Sequence, residues 1–179
     1  MGAETGEHRD AGAMNGAAEY ANLGRSEADV RADVDKITDG LGHEIDPGIK
    51  DAVTALRVAG LPTSGSCEGH LEDGLPFPWV EVNPEGPEGW HETPEGQEAY
   101  RAQLSGLRQR ADELLEAFYA QHTAPSEVRL KAVDMGIWGG FIIQSPDQLQ
   151  DTQPASGERL TKYREEMDAF AEFLLHGNK

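Results

Sequence analysis

ALRVAGLPTSGSCEGHLEDGLPFPWVEV, Ala55 to Val82, changes its period midway. Upstream of Gly60 the apolar residues Ile49, Ala52, Val53 and Leu56 recur at helical spacing. Asp46 is placed to cap that helix, Pro47 suits its first position, and Gly60 stops it. Beyond the stop, Thr63 to His70 reads as a strand whose small residues let a helix lie close over it. PWVEV supplies a second strand, with Val80 and Val82 on one face and Trp79 and Glu81 on the other. Pro76 and Pro78 mark either an edge position or a rigid lead-in.

The flanking sequence extends this alternation of periods. Before it, SEADVRADVDKITDGLG predicts a short helix with Ser26 as N-cap and Val30, Val34 and Ile37 on one face, ending at Gly40 or Gly42. After it, Asn83 to Pro94 is a Pro/Gly/Glu loop in which Trp90 and His91 are candidates for a lid. From Glu95 to about Gln121, Tyr100, Leu104, Leu107, Ala111, Leu114 and Phe118 define the longest helix. EVRLKAV and WGGFIIQS predict a closing hairpin, with Gly139 and Gly140 as a bulge or a close backbone approach. Leu160, Tyr163, Met167, Phe170 and Leu174 predict a last helix. The order ααββαββα implies an α+β fold, a small, mostly antiparallel four-stranded sheet in a layered sandwich with helices chiefly on one side. The helical stripes suit packing against their own sheet or against a second subunit, so a homo-oligomer is compatible with them.

The 179 residues suffice for one domain over 26–179, preceded by a Gly, Ala and acid rich stretch, 1–25, expected to be a disordered tail. With 33 acidic against 15 basic residues the net charge is -18, which repels nucleic acid and anionic membrane surfaces and suits a basic protein partner. A single cysteine excludes an internal disulfide and favours a reducing compartment. The N-terminus lacks the pattern of a signal peptide and no stretch has transmembrane length, so the expected location is cytoplasmic. There is no Walker loop, GxGxxG, CxxC pair, HExxH or GxSxG.

Candidate chemistry concentrates in SGSCEGHLED, Ser64 to Asp73. In a regular strand Ser64, Ser66, Glu68 and His70 share one face and Cys67 the other, so a Cys67–His70 pair requires a bend at Gly69. Otherwise a partner must come from GHEID, residues 42–46. A helix of about a dozen residues is roughly 18 Å long and a return strand of six to eight residues covers about 20–26 Å. The strand therefore runs back towards His43, Glu44 and Asp46. Three readings follow. His43 and His70 bind a divalent metal with a carboxylate from Glu44, Asp46, Glu68 or Asp73. Alternatively, Cys67 is a nucleophile activated by a histidine, with Glu68 and His70 as catalytic partners. In the third, Cys67 is a small buried apolar residue and Glu68 and His70 form a surface pair.

The stretch Ala55 to Val82, with its TxGSCEGH and PWV elements, resembles a family of small uncharacterised bacterial and phage proteins, and RLKAVDMGIWGGFIIQS looks like that family's closing hairpin. A more distant likeness is to the wybutosine-synthesising methyltransferase family of transfer RNA modification. Ser66, Cys67 and Gly69 match its Ser-Ser-Cys-Ser-Gly-Arg motif, and Ile45 and Asp46 match its lead; Glu68 and His70 stand where it has serine and arginine. That likeness implies an α/β layered fold and a nucleotide-like ligand, while the lost cation and the net charge oppose binding of transfer RNA.

The expectation is a small enzyme, or an enzyme-derived protein, acting on a small molecule. Its pocket is formed by Cys67, Glu68, His70 and His43, with Ser64 and Ser66 as ligand-binding hydroxyls and Trp79 or Trp138 as an apolar wall. A divalent metal is the candidate cofactor. Two alternatives remain: an acidic ligand-binding or regulatory, immunity-like interaction module, and an RNA-modification enzyme.

Overall fold

A computed structural model describes residues 25–72, 74–86, 88–136, 139–145 and 156–177. Residues 1–24 of the expected tail, Asp73 and Trp138 lie outside the described residues. Four helices, α1 (Glu27–Val34), α2 (Lys50–Val58), α3 (Pro94–Tyr119) and α4 (Gly157–His176), combine with four strands. The strands are β1 (Thr63–Cys67), β2 (Trp79–Val82), β3 (Lys131–Asp134) and β4 (Phe141–Gln144). They form one antiparallel sheet in the order β1-β2-β4-β3, which is the expected α+β arrangement.

The pleat sorts the strand residues into two faces. Val80 and Val82 of β2, Phe141 and Ile143 of β4 and Ala132 of β3 are buried together. They join one core with Val30 and Val34 of α1, Ile49, Val53 and Leu56 around α2, Leu107, Ala111 and Leu114 of α3, and Met167 and Phe170 of α4. The alternate residues Trp79, Glu81, Ile142, Gln144, Lys131 and Val133 are partly or fully exposed. The layers thus follow from period-2 strands and period-3.6 helices burying their apolar sides against each other. Among the described residues no helix is long and apolar enough to cross a membrane.

Several boundaries differ from the periodic reading, each for a local reason. Helix α1 is capped by Ser26, which forms a capping box with Asp29, but it ends at Val34 rather than at the glycines. The chain beyond it folds back on itself: Thr38 bridges to Glu44, and the Asp39 carboxylate accepts from the amides of Leu41 and His43. Strand β2 is central, so Pro76 and Pro78 serve as its lead-in and not as edge markers. Strand β3 begins only at Lys131 because the preceding backbone is committed elsewhere. The Leu130 amide donates to the Tyr119 hydroxyl at 2.6 Å, and the Val128 carbonyl accepts from the Ser145 hydroxyl at 2.7 Å. Trp90, a candidate for a lid, stacks flat on Tyr100 of α3 at 3.8 Å between ring centroids.

A polar clasp locks α3 to α4 beside this core. Glu166, 5% exposed, accepts from the Tyr119 hydroxyl at 2.6 Å and lies 3.0 Å from Nε2 of His122. Burial first, and the Glu166 carboxylate second, push the Tyr119 phenol well above its usual range, so it remains a donor at all ordinary pH. The Arg129 guanidinium lies over the Tyr119 ring, 4.1 Å from its centroid. Glu166→Leu, similar in volume but without an acceptor, leaves the Tyr119 hydroxyl and His122 without this partner. The expected loss is about 1–3 kcal/mol, read as a lower urea midpoint with an unchanged slope.

Candidate metal centre

The end of β1 is where the sequence's alternation breaks. The strand stops at Cys67, and Gly69 adopts φ +85°, a left-handed conformation that favours glycine. The bend turns His70 back to the side of Cys67. Its amide closes the turn by donating to the Leu75 carbonyl at 2.9 Å.

The third member comes from GHEID, and it is Asp46. Pro47 to Ile49 form a 3-10 turn leading into α2, but the Asp46 side chain makes no capping bond to it. Its carboxylate is directed to the neighbouring segment, with Oδ2 accepting from the Glu68 amide at 3.2 Å and lying 3.4 Å from Nε2 of His70. A carboxylate oxygen of Asp46, Sγ of Cys67 and a ring nitrogen of His70 lie within 4.8 Å of one another. Among the described residues this is the group of at least three such side chains close enough to hold one ion.

The other expected ligands have different neighbours. His43 sits in the loop closed by Asp39, its Nδ1 3.1 Å from Asp39 Oδ2, and its side chain is 74% exposed. Glu44 pairs with Lys50 at 3.3 Å. The structure therefore does not bring His43 or Glu44 to His70, because the 37–46 loop folds on itself before Asp46 reaches β1. Glu68 is also committed: Oε2 accepts from the Gly48 amide at 2.7 Å and Oε1 lies 3.3 Å from Arg164. It ties the α2 lead-in to α4, with each carboxylate oxygen holding one of the two partners.

The surroundings of the thiol disfavour its ionised form. Burial pushes the Cys67 thiol up, and the Asp46 and Glu68 carboxylates add to that, against an opposing contribution from the Gly69 amide, which donates to Sγ at 3.3 Å. An activated nucleophile needs the opposite shift. A metal ligand does not, since coordination to a divalent ion removes the thiol proton.

A groove of about 460 Å³ opens beside Asp46, between the 37–46 loop and edge strand β1. Ser64, Ser66 and Trp79, expected as ligand-binding residues, all line it, as do His43 and Arg57. Arg57 is half-buried and donates to the Thr63 hydroxyl at 2.7 Å and carbonyl at 2.8 Å. It thereby holds the start of β1 against α2. Asp46 belongs both to the groove and to the Cys67–His70 cluster, which makes the two features continuous.

Sequence reasoning missed Arg164, which donates from Nε to the Glu68 carbonyl at 2.9 Å and from Nη2 to the Gly69 carbonyl at 2.7 Å. No local pattern links residues so far apart in the chain. No protein-family model, no curated protein and no solved structure matches this chain.

Proposed function

We propose that the chain is a zinc-type metalloenzyme, with Asp46, Cys67 and His70 as ligands and a small-molecule substrate held in the adjoining groove. The observation that carries this reading is the convergence of a carboxylate, a thiol and an imidazole within 4.8 Å from two separate segments. Three protein ligands with a fourth position open is the arrangement of catalytic rather than structural zinc sites. Tetrahedral zinc with N, O and S ligands sets neighbouring donor atoms about 3.4–3.6 Å apart. The Asp46–His70 separation of 3.4 Å already fits, so only modest movement of the thiol is required. The thiolate selects zinc over magnesium or calcium, which prefer all-oxygen sets.

A bound zinc supplies a Lewis acid and lowers the pKa of water in its open position. The chain's own residues would do the rest. The Glu68 amide holds Asp46 Oδ2 in place, the Gly69 bend aims His70, and Trp79 with Ser64 and Ser66 offers an apolar wall and hydroxyls to a substrate reaching in from the groove. The nucleophile reading has less support because burial shifts the thiol pKa upward, away from the thiolate an attack needs.

Zinc added to chelator-stripped protein is expected to raise its Tm. At a hundredfold excess over Kd the stabilisation is about 2.7 kcal/mol, or roughly 5–10 °C for a chain of this size. Zinc should also protect Cys67 from alkylation. His70→Ala should lose both responses while keeping the same far-UV circular dichroism. Absence of zinc uptake and of any thermal shift in the unsubstituted protein would sink the metal reading.

A further inference from the structure

We infer that Arg164 is the positioning residue of this centre, so that the C-terminal helix completes a site whose ligands lie in the first half of the chain. The inference rests on the metal reading above. Cys67 and His70 flank a two-residue bend, Glu68-Gly69, and the peptide groups that follow Glu68 and Gly69 help to set where His70 stands relative to Cys67. Arg164 holds both. Nε donates to the Glu68 carbonyl at 2.9 Å, Nη2 to the Gly69 carbonyl at 2.7 Å, and Nη2 also lies 3.3 Å from Glu68 Oε1.

The remaining polar groups of the bend are fixed by residues that already belong to the centre or adjoin it. The Glu68 amide donates to Asp46, the Gly69 amide to Cys67 Sγ, and the His70 amide to the Leu75 carbonyl. Glu68 Oε2 accepts from Gly48, two residues beyond Asp46. Arg164 therefore acts on all three ligands. It orients Cys67 and His70 through the carbonyls of the bend, and Asp46 through the Glu68 carboxylate and the Gly48 amide. A planar guanidinium with several fixed donors suits three acceptors at once, whereas an ammonium is a single point charge. Outer-shell partners of this kind typically contribute 10–100-fold in metal affinity.

The test is a zinc competition titration against a chromophoric chelator, at a temperature where every protein is folded. It uses the unsubstituted chain, Arg164→Gln, Arg164→Lys and, as a control, Lys162→Gln, which removes only the exposed pair with Glu158 on the same helix. Arg164→Gln is expected to bind zinc 10–100-fold more weakly, Arg164→Lys to fall between, and Lys162→Gln to match the unsubstituted chain. Cobalt offers a second readout. The thiolate-to-cobalt band should weaken or shift in the Arg164 variants, which a residue that only stabilises the fold would not cause. If Arg164→Gln does not fold, Arg164→Lys carries the comparison. Folded Arg164 variants with unchanged affinity and cobalt spectrum, beside an unsubstituted chain that binds zinc, overturn the positioning role alone. Failure of the unsubstituted chain to bind zinc overturns the metal reading and this role with it.

Discussion

Gly69→Ala is expected to abolish zinc uptake and to lower Tm by roughly 5–20 °C, following a destabilisation of about 2–5 kcal/mol. Two effects add. At φ +85° a side chain is strained even in open space, and the space here is closed. A Cβ on Gly69 would stand 2.6 Å from the Phe77 carbonyl carbon, 2.8 Å from its nitrogen and 2.8 Å from Cδ1 of Leu160. The leucine tip can give way, but the Phe77 backbone leads straight into β2 and cannot. Relief therefore comes from opening the bend, which moves His70 away from Cys67 and pulls the two carbonyls off Arg164. Circular dichroism melts and zinc titration of the same preparation check both parts. A variant with unchanged Tm and unchanged affinity would mean that the bend is not what joins the two ligands.

Gly140→Ala is expected to damage the fold as a whole, at about 3 kcal/mol or more, seen as low soluble yield or a Tm drop of roughly 10 °C or more. A Cβ there would collide with the Val82 carbonyl oxygen and stand 2.8 Å from its carbon. Next to this contact Phe141 pairs with Val82, and both are buried in the core. Making room therefore separates the two central strands and opens the core between them. Gly106 in α3 provides the contrast. Nothing lies within 4 Å of a Cβ at that position, so Gly106→Ala should stabilise the protein by about 0.5–1 kcal/mol through helix propensity. Opposite signs for two Gly→Ala changes, measured in parallel urea titrations, separate the steric argument from any general sensitivity to substitution.

The order and type of the elements were legible because the apolar residues of α2, α3 and α4 keep helical spacing and those of β2 and β4 alternate. Gly139-Gly140 also signalled a close approach, and Gly140 makes one. The extent of β1 was not legible. Glycine at 69 is compatible with a continuing strand or a bend, and the choice is made by the Phe77 backbone and Leu160 packed against it. Asp46 shows a different ambiguity. Asp-Pro-Gly before an apolar run has the local form of a helix cap, yet the side chain bonds an amide 22 residues later. Cys67 and His70 were singled out on residue type, and the prospect of a partner from GHEID rested on lengths alone; lengths could not choose between His43 and Asp46. The polar residues of α4 gave no signal at all. Arg164 and Glu166 flank a residue between Tyr163 and Met167 in a stripe whose spacing predicts only packing, and their partners are contributed by the bend after β1 and by the end of α3.

The sheet order has a consequence for the time course of folding. Strands β2 and β4 are neighbours, yet the whole of α3 and β3 lies between them in the chain, so their pairing is a long-range closure that local hairpin formation cannot supply. The β3–β4 pair can form early; β1–β2 is also local, but the bend that follows β1, at Glu68 and Gly69, is tied to α4, which comes after all four strands. The Asp46, Cys67 and His70 arrangement is therefore expected to mature after the core has closed, and on a ribosome only after α4 has emerged.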